Sequence, residues 1–316
     1  MARRTPKDTG SDNTAATGQT SRGYRIGAHE IGARPLAAGL YLVATPIGNL
    51  GDITLRALET LAGADIIACE DTRVSRVLLD RFGIATRPYA YHEHNAERVG
   101  PKLMAALEAG KSVALISDAG TPLVSDPGYR ISQTAIEAGL PVIPIPGASA
   151  PMAALVASGL PSDTFLFAGF LPSKDKARRD RLASFAATEA TLMFFESPNR
   201  LAASLKSAAD MLGAERPAAV CRELTKAYEE IRRGTLGELA ARYENENVRG
   251  EIVLVIGPGF TPAPSEDDVD ALLARLASDL PAGKAATEAA RLTGLNRKEL
   301  YARLLAMKAA PPKGEA

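Results

Sequence analysis

The chain has 316 residues, of which 46% are hydrophobic and 23% are charged, and its 37 basic and 37 acidic side chains leave no net charge. This length accommodates about two domains. The neutral balance counts against a protein that binds nucleic acid over its whole surface, so any site for a polyanion is expected to be a local patch. The sequence lacks a run of about 18 apolar residues, and we therefore expect neither a membrane span nor a membrane partner.

Residues 1–38 are predicted to be a disordered arm, because they are rich in polar and small residues and lack the apolar core of a signal peptide. The arm is mildly basic, and contact with nucleic acid is the alternative to simple solvation. Cys69 and Cys221 each end an apolar run, which is typical of buried free thiols. Free thiols indicate a reducing compartment, so we expect a cytoplasmic protein.

Residues 39–161 are predicted to form an N-terminal α/β domain with a mainly parallel sheet, because short apolar runs alternate with helical patterns. The predicted strands are residues 40–44, 66–69, 113–116 and 142–145. The predicted helices are one capped by Asp52, one with the pattern Val74, Val77, Leu78 and Phe82, one at residues 96–109 and one at residues 129–138.

Residues 162–259 are predicted to form a second, smaller α/β domain with a mixed sheet. Its predicted strands are residues 165–168, 192–195, 218–221 and 252–256. Residues 228–235 alternate partly and carry charge, which predicts an edge or antiparallel strand.

Residues 260–316 are predicted to be a linker and a small helical module, in which two short helices flank a turn at Gly294 as in a helix-turn-helix. Such a pair serves either as a packing unit or as a reader of nucleic acid, and Arg297 and Lys298 are the residues that a reader would use.

The most informative stretch is residues 117–128, a loop rich in Gly, Pro and Asp that directly follows the apolar run 113–116. In open α/β sheets, ligands bind at the carboxyl ends of the strands. The prolines stiffen the loop, so that Asp118, Thr121 and Ser125 can be presented to a small molecule. The sequence therefore predicts a ligand site built from loops at strand ends.

Two other stretches resemble nucleotide-binding motifs but match them only in part. Residues 110–112 resemble the end of a phosphate loop, but Ala105 replaces its first glycine and the order of helix and strand is reversed. The first strand's loop, with Glu70 and Asp71 about 20 residues further on, imitates a dinucleotide site without the full glycine pattern.

A metal centre and a nucleophilic hydrolase are also disfavoured. His92 and His94 are expected on one side of an extended segment, but no third ligand has a fitting spacing. The sequence has no Gly-x-Ser-x-Gly motif. A site with few titratable groups suits a reaction that depends on alignment, such as methyl transfer from a sulfonium.

Seven motifs in order resemble the ribosomal RNA small-subunit methyltransferases of the tetrapyrrole methylase-like family. They are residues 40–50, 70–73, 117–128, 146–150, 195–200, 222–226 and 249–251. The resemblance covers residues 39 to about 308 and omits only the N-terminal arm. It implies two α/β domains of the tetrapyrrole methylase type with S-adenosylmethionine in the cleft between them, and a homodimer. It also implies 2'-O-methylation of the ribose of cytidine 1402 in the 16S rRNA of the small ribosomal subunit.

The resemblance also implies the residues of the site. Those carried over as cofactor-binding are Pro46, Ile47, Asp118, Thr121, Val124, Ser149, Ala150, Phe195 and Arg222. The candidates to assist removal of the hydroxyl proton are Glu70, Asp71, Glu223 and Lys226, and pure alignment without a base is equally open.

Guanidinium and ammonium groups suit RNA phosphates. The expected RNA-binding residues are Arg73, Arg76, Arg200, Arg222, Lys226 and Arg249. We expect about half of them to form internal ion pairs instead, with Arg73 to Asp71 and Arg222 to Glu223 as examples.

Two other functions remain open on the sequence alone. One is a methyltransferase for a tetrapyrrole or another small substrate, which the neutral charge favours and which would be insensitive to salt. The other is a regulator or ribosome-assembly factor that binds the donor or RNA without turnover.

Overall fold

A computed structural model gives the fold and describes residues 22–125, 129–259, 266–293 and 295–309, with side chains as far as residue 307. Contacts divide the chain into one unit of Met1–Ala183 with Ala190–Gly257 and another of Ser184–Glu189 with Pro258–Ala316. The chain forms two five-stranded sheets, and both belong to the first unit, so the domain boundary expected near residue 161 stays a prediction. Among the described residues, no helix combines the length and the apolar character needed to cross a bilayer.

Part of the arm predicted to be disordered is folded, which corrects that prediction. Gly23–Ile26 (β1) and His29–Gly32 (β2) form an antiparallel hairpin. Gly27 at its turn has a φ of 59°, which glycine adopts without steric cost. Tyr24 is only 8% exposed and belongs to the core of the first unit. Residues 1–21 lie outside the described residues, so their disorder stays a prediction.

The first sheet has five parallel strands in the order β5, β4, β6, β3, β7. They are Gly39–Val43 (β3), Ile66–Cys69 (β4), Pro88–Ala90 (β5), Ser112–Ile116 (β6) and Val142–Ile145 (β7). Every residue of the central β6 is buried, as a continuous apolar run predicts for a strand covered on both faces. The short β5 carries no such run and was not predicted.

Five helices follow these strands along the chain. They are Leu55–Gly63 (α1), Thr72–Arg81 (α2), Ala96–Glu108 (α3), Tyr129–Glu137 (α4) and Ala150–Ser158 (α5). The predicted cap of α1 was wrong. The Thr54 hydroxyl accepts the Ala57 N–H there, whereas Asp52 ends a short 3-10 turn at Leu50–Asp52.

The α2 helix turns a different face to the core from the one its apolar pattern indicates. Ser75, Leu78 and Leu79 are buried. Val74 and Val77 are 45% and 62% exposed. Asp71 accepts the Arg73 N–H at the start of the helix and fixes where it begins. Two valines of the predicted pattern are therefore available to a ligand or partner.

The second sheet is mixed, as predicted, with the order β11, β10, β12, β9, β8. Only β8 and β9 are parallel, and β11 is an antiparallel edge strand. The strands are Phe165–Phe170 (β8), Thr191–Glu196 (β9), Pro217–Arg222 (β10), Glu230–Thr235 (β11) and Ile252–Ile256 (β12). The helices in this part of the chain are Asp175–Ala183 (α6), Leu201–Leu212 (α7) and Leu236–Tyr243 (α8).

Three helices form the body of the second unit, which has its own apolar core around Val269, Leu273 and Leu300. They are Glu266–Asp279 (α9), Ala282–Thr293 (α10) and Arg297–Ala309 (α11). Asn296 accepts the Lys298 N–H at 2.9 Å, so the predicted capping residue of the last helix is confirmed. Gly294 lies outside the described residues.

Candidate functional site

The loops that leave β3, β6 and β7 are hydrogen-bonded to one another. The Thr45 N–H donates to the Gly120 carbonyl at 2.9 Å, and the Gly120 N–H returns a bond to the Thr45 carbonyl at 3.0 Å. The Thr121 hydroxyl donates to the Ala148 carbonyl at 3.2 Å. These bonds hold three strand ends as one surface, as the loop sequence predicts.

Backbone strain is concentrated in two loops beside this surface. Among the described residues, the four non-glycine positions with positive φ are Leu123 (71°), Ser125 (65°), Glu223 (50°) and Thr225 (68°). Such conformations cost free energy and persist only where their surroundings enforce them, which happens often at ligand sites. The loop after β6 and the loop after β10 are therefore candidates for a binding role.

A cavity of about 390 Å³ lies at these two loops, within the first unit. Its volume is in the range of small-molecule sites. Six of the nine predicted cofactor residues line it: Ile47, Thr121, Val124, Ser149, Ala150 and Phe195. The structure thus brings most of the predicted set together, although their role stays a prediction.

The walls of this larger cavity are mainly apolar, with a few polar groups. Phe195 packs against Phe170 and Phe167, with ring centroids 5.4 and 4.9 Å away. Ser149 precedes α5 but makes no capping bond with its side chain. Its hydroxyl is therefore available to a ligand at the start of that helix.

Several lining residues escaped the sequence analysis, and most of them come from the second sheet. They include Phe170, Glu196, Cys221, Leu224, Glu251 and Val253. Cys221 and Val253 belong to apolar runs that also serve as core, so their sequence carries no sign of a ligand. The signal that could have been used is the Arg249-Gly250-Glu251 motif, of which only the arginine was singled out.

A second cavity, of about 350 Å³, adjoins the first and shares Ile47, Ala119 and Glu251 with it. Pro46 and Asp118 line this second cavity and not the larger one. One carboxylate oxygen of Asp118 accepts the Asp71 N–H at 2.9 Å. Asp118 thus holds the loop after β4 against the loop after β6.

Lys226 lies at the second cavity between two carboxylates. Its ammonium donates to Glu223 Oε1 at 2.8 Å and to Glu251 Oε2 at 2.9 Å. Burial alone would lower the pKa of Lys226, but these two partners raise it. The same contact lowers the pKa of Glu223. The site therefore presents an ammonium that is charged at neutral pH and a carboxylate that is a weak base.

The remaining base candidates follow β4. Arg73 holds the pKa of Asp71 down to about 2 through hydrogen bonds and its charge. Burial raises the pKa of Glu70, and the neighbouring charge of Asp118 adds to this. Glu70 has the more basic carboxylate of the two, yet it lines neither cavity.

Five of the six predicted RNA-binding side chains form ion pairs, which is more than the half expected. The predicted pair of Arg73 with Asp71 is confirmed at 2.5 Å. Arg222 pairs with Glu230 at 3.2 Å, so its predicted pair with Glu223 was wrong, because Lys226 occupies that carboxylate. Arg222 also lines neither cavity.

The other two arginine pairs differ in burial. Arg76 pairs with Asp80 at the surface. Arg200 pairs at 2.7 Å with Glu196, whose side chain is completely buried. Arg249 is exposed and makes no ion pair with any residue that the structure describes.

The histidine segment differs from the extended conformation expected for it. Glu93–Asn95 form a 3-10 turn, and the rings of His92 and His94 lie 6.0 Å apart, edge to face. Over the described ranges, no three potential metal-ligating side chains come together.

The sequence of the chain is similar to those of one group of methyltransferases. The family model "Tetrapyrrole (Corrin/Porphyrin) Methylases" matches residues 39–240, and "RsmI C-terminal HTH domain" matches residues 263–308. A protein from Mesorhizobium japonicum named "Ribosomal RNA small subunit methyltransferase I" is 62% identical over 92% of this chain and 99% of its own length. An Escherichia coli O157:H7 protein of the same name is 48% identical over 83% and 93%.

Solved structures share the fold at low sequence identity. Cobalt precorrin-4 methyltransferase has a TM-score of 0.54 and 18% identity, over 69% of this chain and 94% of that one. Uroporphyrin-III C-methyltransferase from Thermus thermophilus, complexed with S-adenosylhomocysteine, has a TM-score of 0.50 and 22% identity, over 69% and 97%. At these identities the likeness concerns the fold alone.

Proposed function

The chain belongs to the ribosomal RNA small subunit methyltransferase I family, and from this membership we propose that it methylates the 2'-oxygen of cytidine 1402 in 16S rRNA, with S-adenosylmethionine as donor. The observation that carries the proposal is the pair of adjoining cavities, which share the lining residues Ile47, Ala119 and Glu251. Two reactants held in adjoining cavities can be aligned for direct transfer.

The larger cavity fits the donor. When bound, S-adenosylmethionine supplies a methyl group that its sulfonium already activates. The Phe170 and Phe195 rings offer an apolar, aromatic surface for the adenine. The Ser149 hydroxyl and the first turn of α5 offer hydrogen bonds and a positive helix end for the carboxylate. The chain thus has suitable groups for both ends of the molecule.

Alignment and electrostatics, rather than a strong base, are proposed to drive the transfer. The carboxylates of Asp71 and Glu223 have low pKa values and are occupied by Arg73 and Lys226. Lys226 stays protonated and stabilises negative charge that develops on the ribose oxygen in the second cavity. The ribose proton is lost to solvent, because Glu70, whose pKa is raised, lines neither cavity.

RNA is proposed to approach along α2 and the loop at Arg249. Arg73 is 89% exposed at its side chain, and surface pairs such as Arg73 with Asp71 are weak enough to exchange for phosphate. Arg76, 47% exposed at its side chain, and Arg249 are also at the surface. Arg200 and Arg222 instead act within the fold, because their partners are buried or half-buried carboxylates.

We also propose a homodimer, in the cytoplasm where the ribosomal substrate is found. The edge strand β8 exposes Phe165, Leu166 and Phe170, at 43%, 38% and 56%. An exposed apolar edge strand is a site for pairing with another chain. Phe170 also lines the larger cavity, so a partner seated on β8 would contact the donor site. The molar mass in solution, from light scattering, tests this.

The decisive experiment measures incorporation of labelled methyl from S-adenosylmethionine into small ribosomal subunits that lack the modification. Nuclease digestion then locates the label. We expect it on the ribose of cytidine 1402, with an activity that falls steeply as salt increases. Absence of label from subunits and from free 16S rRNA, despite donor binding, would direct the search to a small-molecule substrate.

A further inference from the structure

The β1–β2 hairpin lies before the residues that the family models match and is firmly attached to the first unit. It precedes residue 39, where the family match begins. The Arg22 guanidinium donates to the Gly63 carbonyl and to Asp65, each at 2.6 Å. The Arg25 N–H donates to the Phe82 carbonyl at 2.7 Å. The hairpin therefore has a fixed position at the end of α2.

Two arginines lie where the hairpin contacts the end of α2. Arg25 of β1 and Arg81 of α2 line one cavity of about 350 Å³ with Gly27, Ala28, Glu30 and Phe82. Both arginines are exposed, and neither side chain forms an ion pair or hydrogen bond with another described residue. Glu30 supplies the one carboxylate on this lining, so the guanidinium charges are in excess.

The α2 helix connects this pair to the candidate site. Val74 and Val77 line the second cavity, and Arg73, Arg76 and Arg81 lie on the exposed face of the same helix. Ten residues of α-helix extend about 15 Å. A helix of this length is long enough to contact more than one phosphate of an RNA strand.

We propose that Arg25 and Arg81 bind backbone phosphate of the RNA strand that flanks the target nucleotide. The inference rests on the proposed function and extends it to a part of the chain outside the residues that the family models match. Unpaired guanidinium groups bind phosphate through two parallel hydrogen bonds, and two of them at one cavity can hold one or two phosphates. The hairpin thereby lengthens the RNA-binding surface beyond α2.

The test reverses both charges and measures binding separately from turnover. The double variant Arg25→Glu/Arg81→Glu is compared with Lys206→Glu/Arg242→Glu, which has the same net charge. The control changes two exposed residues of α7 and α8 whose side chains pair with no other described residue. Affinity for unmethylated small ribosomal subunits is measured by filter binding at several salt concentrations. Donor affinity is measured by calorimetry, and thermal unfolding checks the fold.

We expect the hairpin variant to bind subunits about ten-fold more weakly than the control. Its affinity should also fall less steeply with salt concentration, by the amount that corresponds to the loss of one or two phosphate contacts. Its donor affinity should equal that of the wild type. Equal subunit affinity and salt dependence in the two variants would overturn the proposal. So would saturable binding of inorganic phosphate that the hairpin variant loses while its subunit affinity is unchanged, since the site would then serve a small anion. A failure of methylation by the wild type concerns the proposed function instead, because the binding comparison does not require turnover.

Discussion

Gly48 and Lys226 are in such close contact that a Cβ atom on the glycine would clash with Cγ of the lysine. The stem of Lys226 thus passes directly over the loop that leaves β3. The Asn49 N–H donates to the Thr225 hydroxyl at 3.2 Å and reinforces this contact. The absence of a side chain at residue 48 lets the ammonium reach both Glu223 and Glu251.

Gly48→Ala is therefore expected to displace Lys226 and to lower the rate of methyl transfer by roughly 10- to 100-fold, because small misplacements at a reacting centre are costly. Donor affinity should change little, since Gly48 does not line the larger cavity. The control is Gly283→Ala in α10, where a Cβ would meet no atom within 4 Å. Full activity of Gly48→Ala would remove Lys226 from the proposed mechanism.

Arg200→Ala is expected to destabilise the fold rather than only weaken RNA binding. Glu196 accepts bonds from Arg200, from the Ser204 hydroxyl at 2.6 Å and from the Ser197 N–H at 2.7 Å. Removal of the cation leaves a buried carboxylate without its charge partner, which costs about 2 to 3 kcal/mol when the lost partner is itself partly exposed.

The matched control for this prediction is Arg179→Ala, which breaks a surface pair with Asp210 and should cost at most about 1 kcal/mol. Denaturant unfolding of both variants measures the difference. Equal stability of the two, together with weaker binding of subunits by Arg200→Ala, would return Arg200 to the RNA-binding set.

The lowered pKa of Asp71 predicts how the stability of the fold depends on pH. Its pKa is lowered to about 2, chiefly by the hydrogen bond from Arg73, so its charged form is favoured in the folded state. A lowered pKa contributes stability that is present above the ordinary value near 4 and is lost as the pH falls toward 2. Asp71→Asn should therefore unfold at a lower temperature than the wild type at pH 7, and the gap should close between pH 4 and pH 2. A gap that is independent of pH would mean that the ion pair does not contribute.

The parallel sheet was predictable because strands covered on both faces leave continuous apolar runs, as at β3 and β6. The hairpin was not, since β2 is wholly exposed and its residues carry no apolar pattern. In the site, the strand-end loops were predictable from Gly and Pro punctuation. The pairing of Arg222 with Glu230 was not, because it depends on the register of β10 with β11 and not on neighbours in sequence.

Phe195 tests the donor end of the larger cavity. We expect Phe195→Ala to weaken binding of S-adenosylmethionine by about ten-fold or more, because stacking of a base on an aromatic ring contributes about 1 to 3 kcal/mol. Phe195→Leu keeps an apolar side chain of similar size and should restore the packing against Phe167 and Phe170 without the stacking. Calorimetry on both variants separates the two effects. If both bind the donor as the wild type does, the adenine lies elsewhere.

Asp118 distinguishes a donor contact from a positioning role. The sequence predicts that it binds the cofactor, whereas the structure places it on the second cavity, where it accepts the Asp71 N–H. Asp118→Ala removes that acceptor and frees the loop after β4, so the rate of methyl transfer should fall by about ten-fold or more. Donor affinity, from calorimetry, should stay within about three-fold of the wild type.

Asp118→Asn decides between the two roles, because the amide oxygen can accept the same N–H while the negative charge is lost. A positioning role predicts that Asp118→Asn retains most of the activity that Asp118→Ala loses. A direct contact between the carboxylate and a cationic or hydroxyl group of the donor predicts that both variants bind the donor more weakly. Loss of donor affinity in both would thus support the sequence-based assignment and place the donor across both cavities.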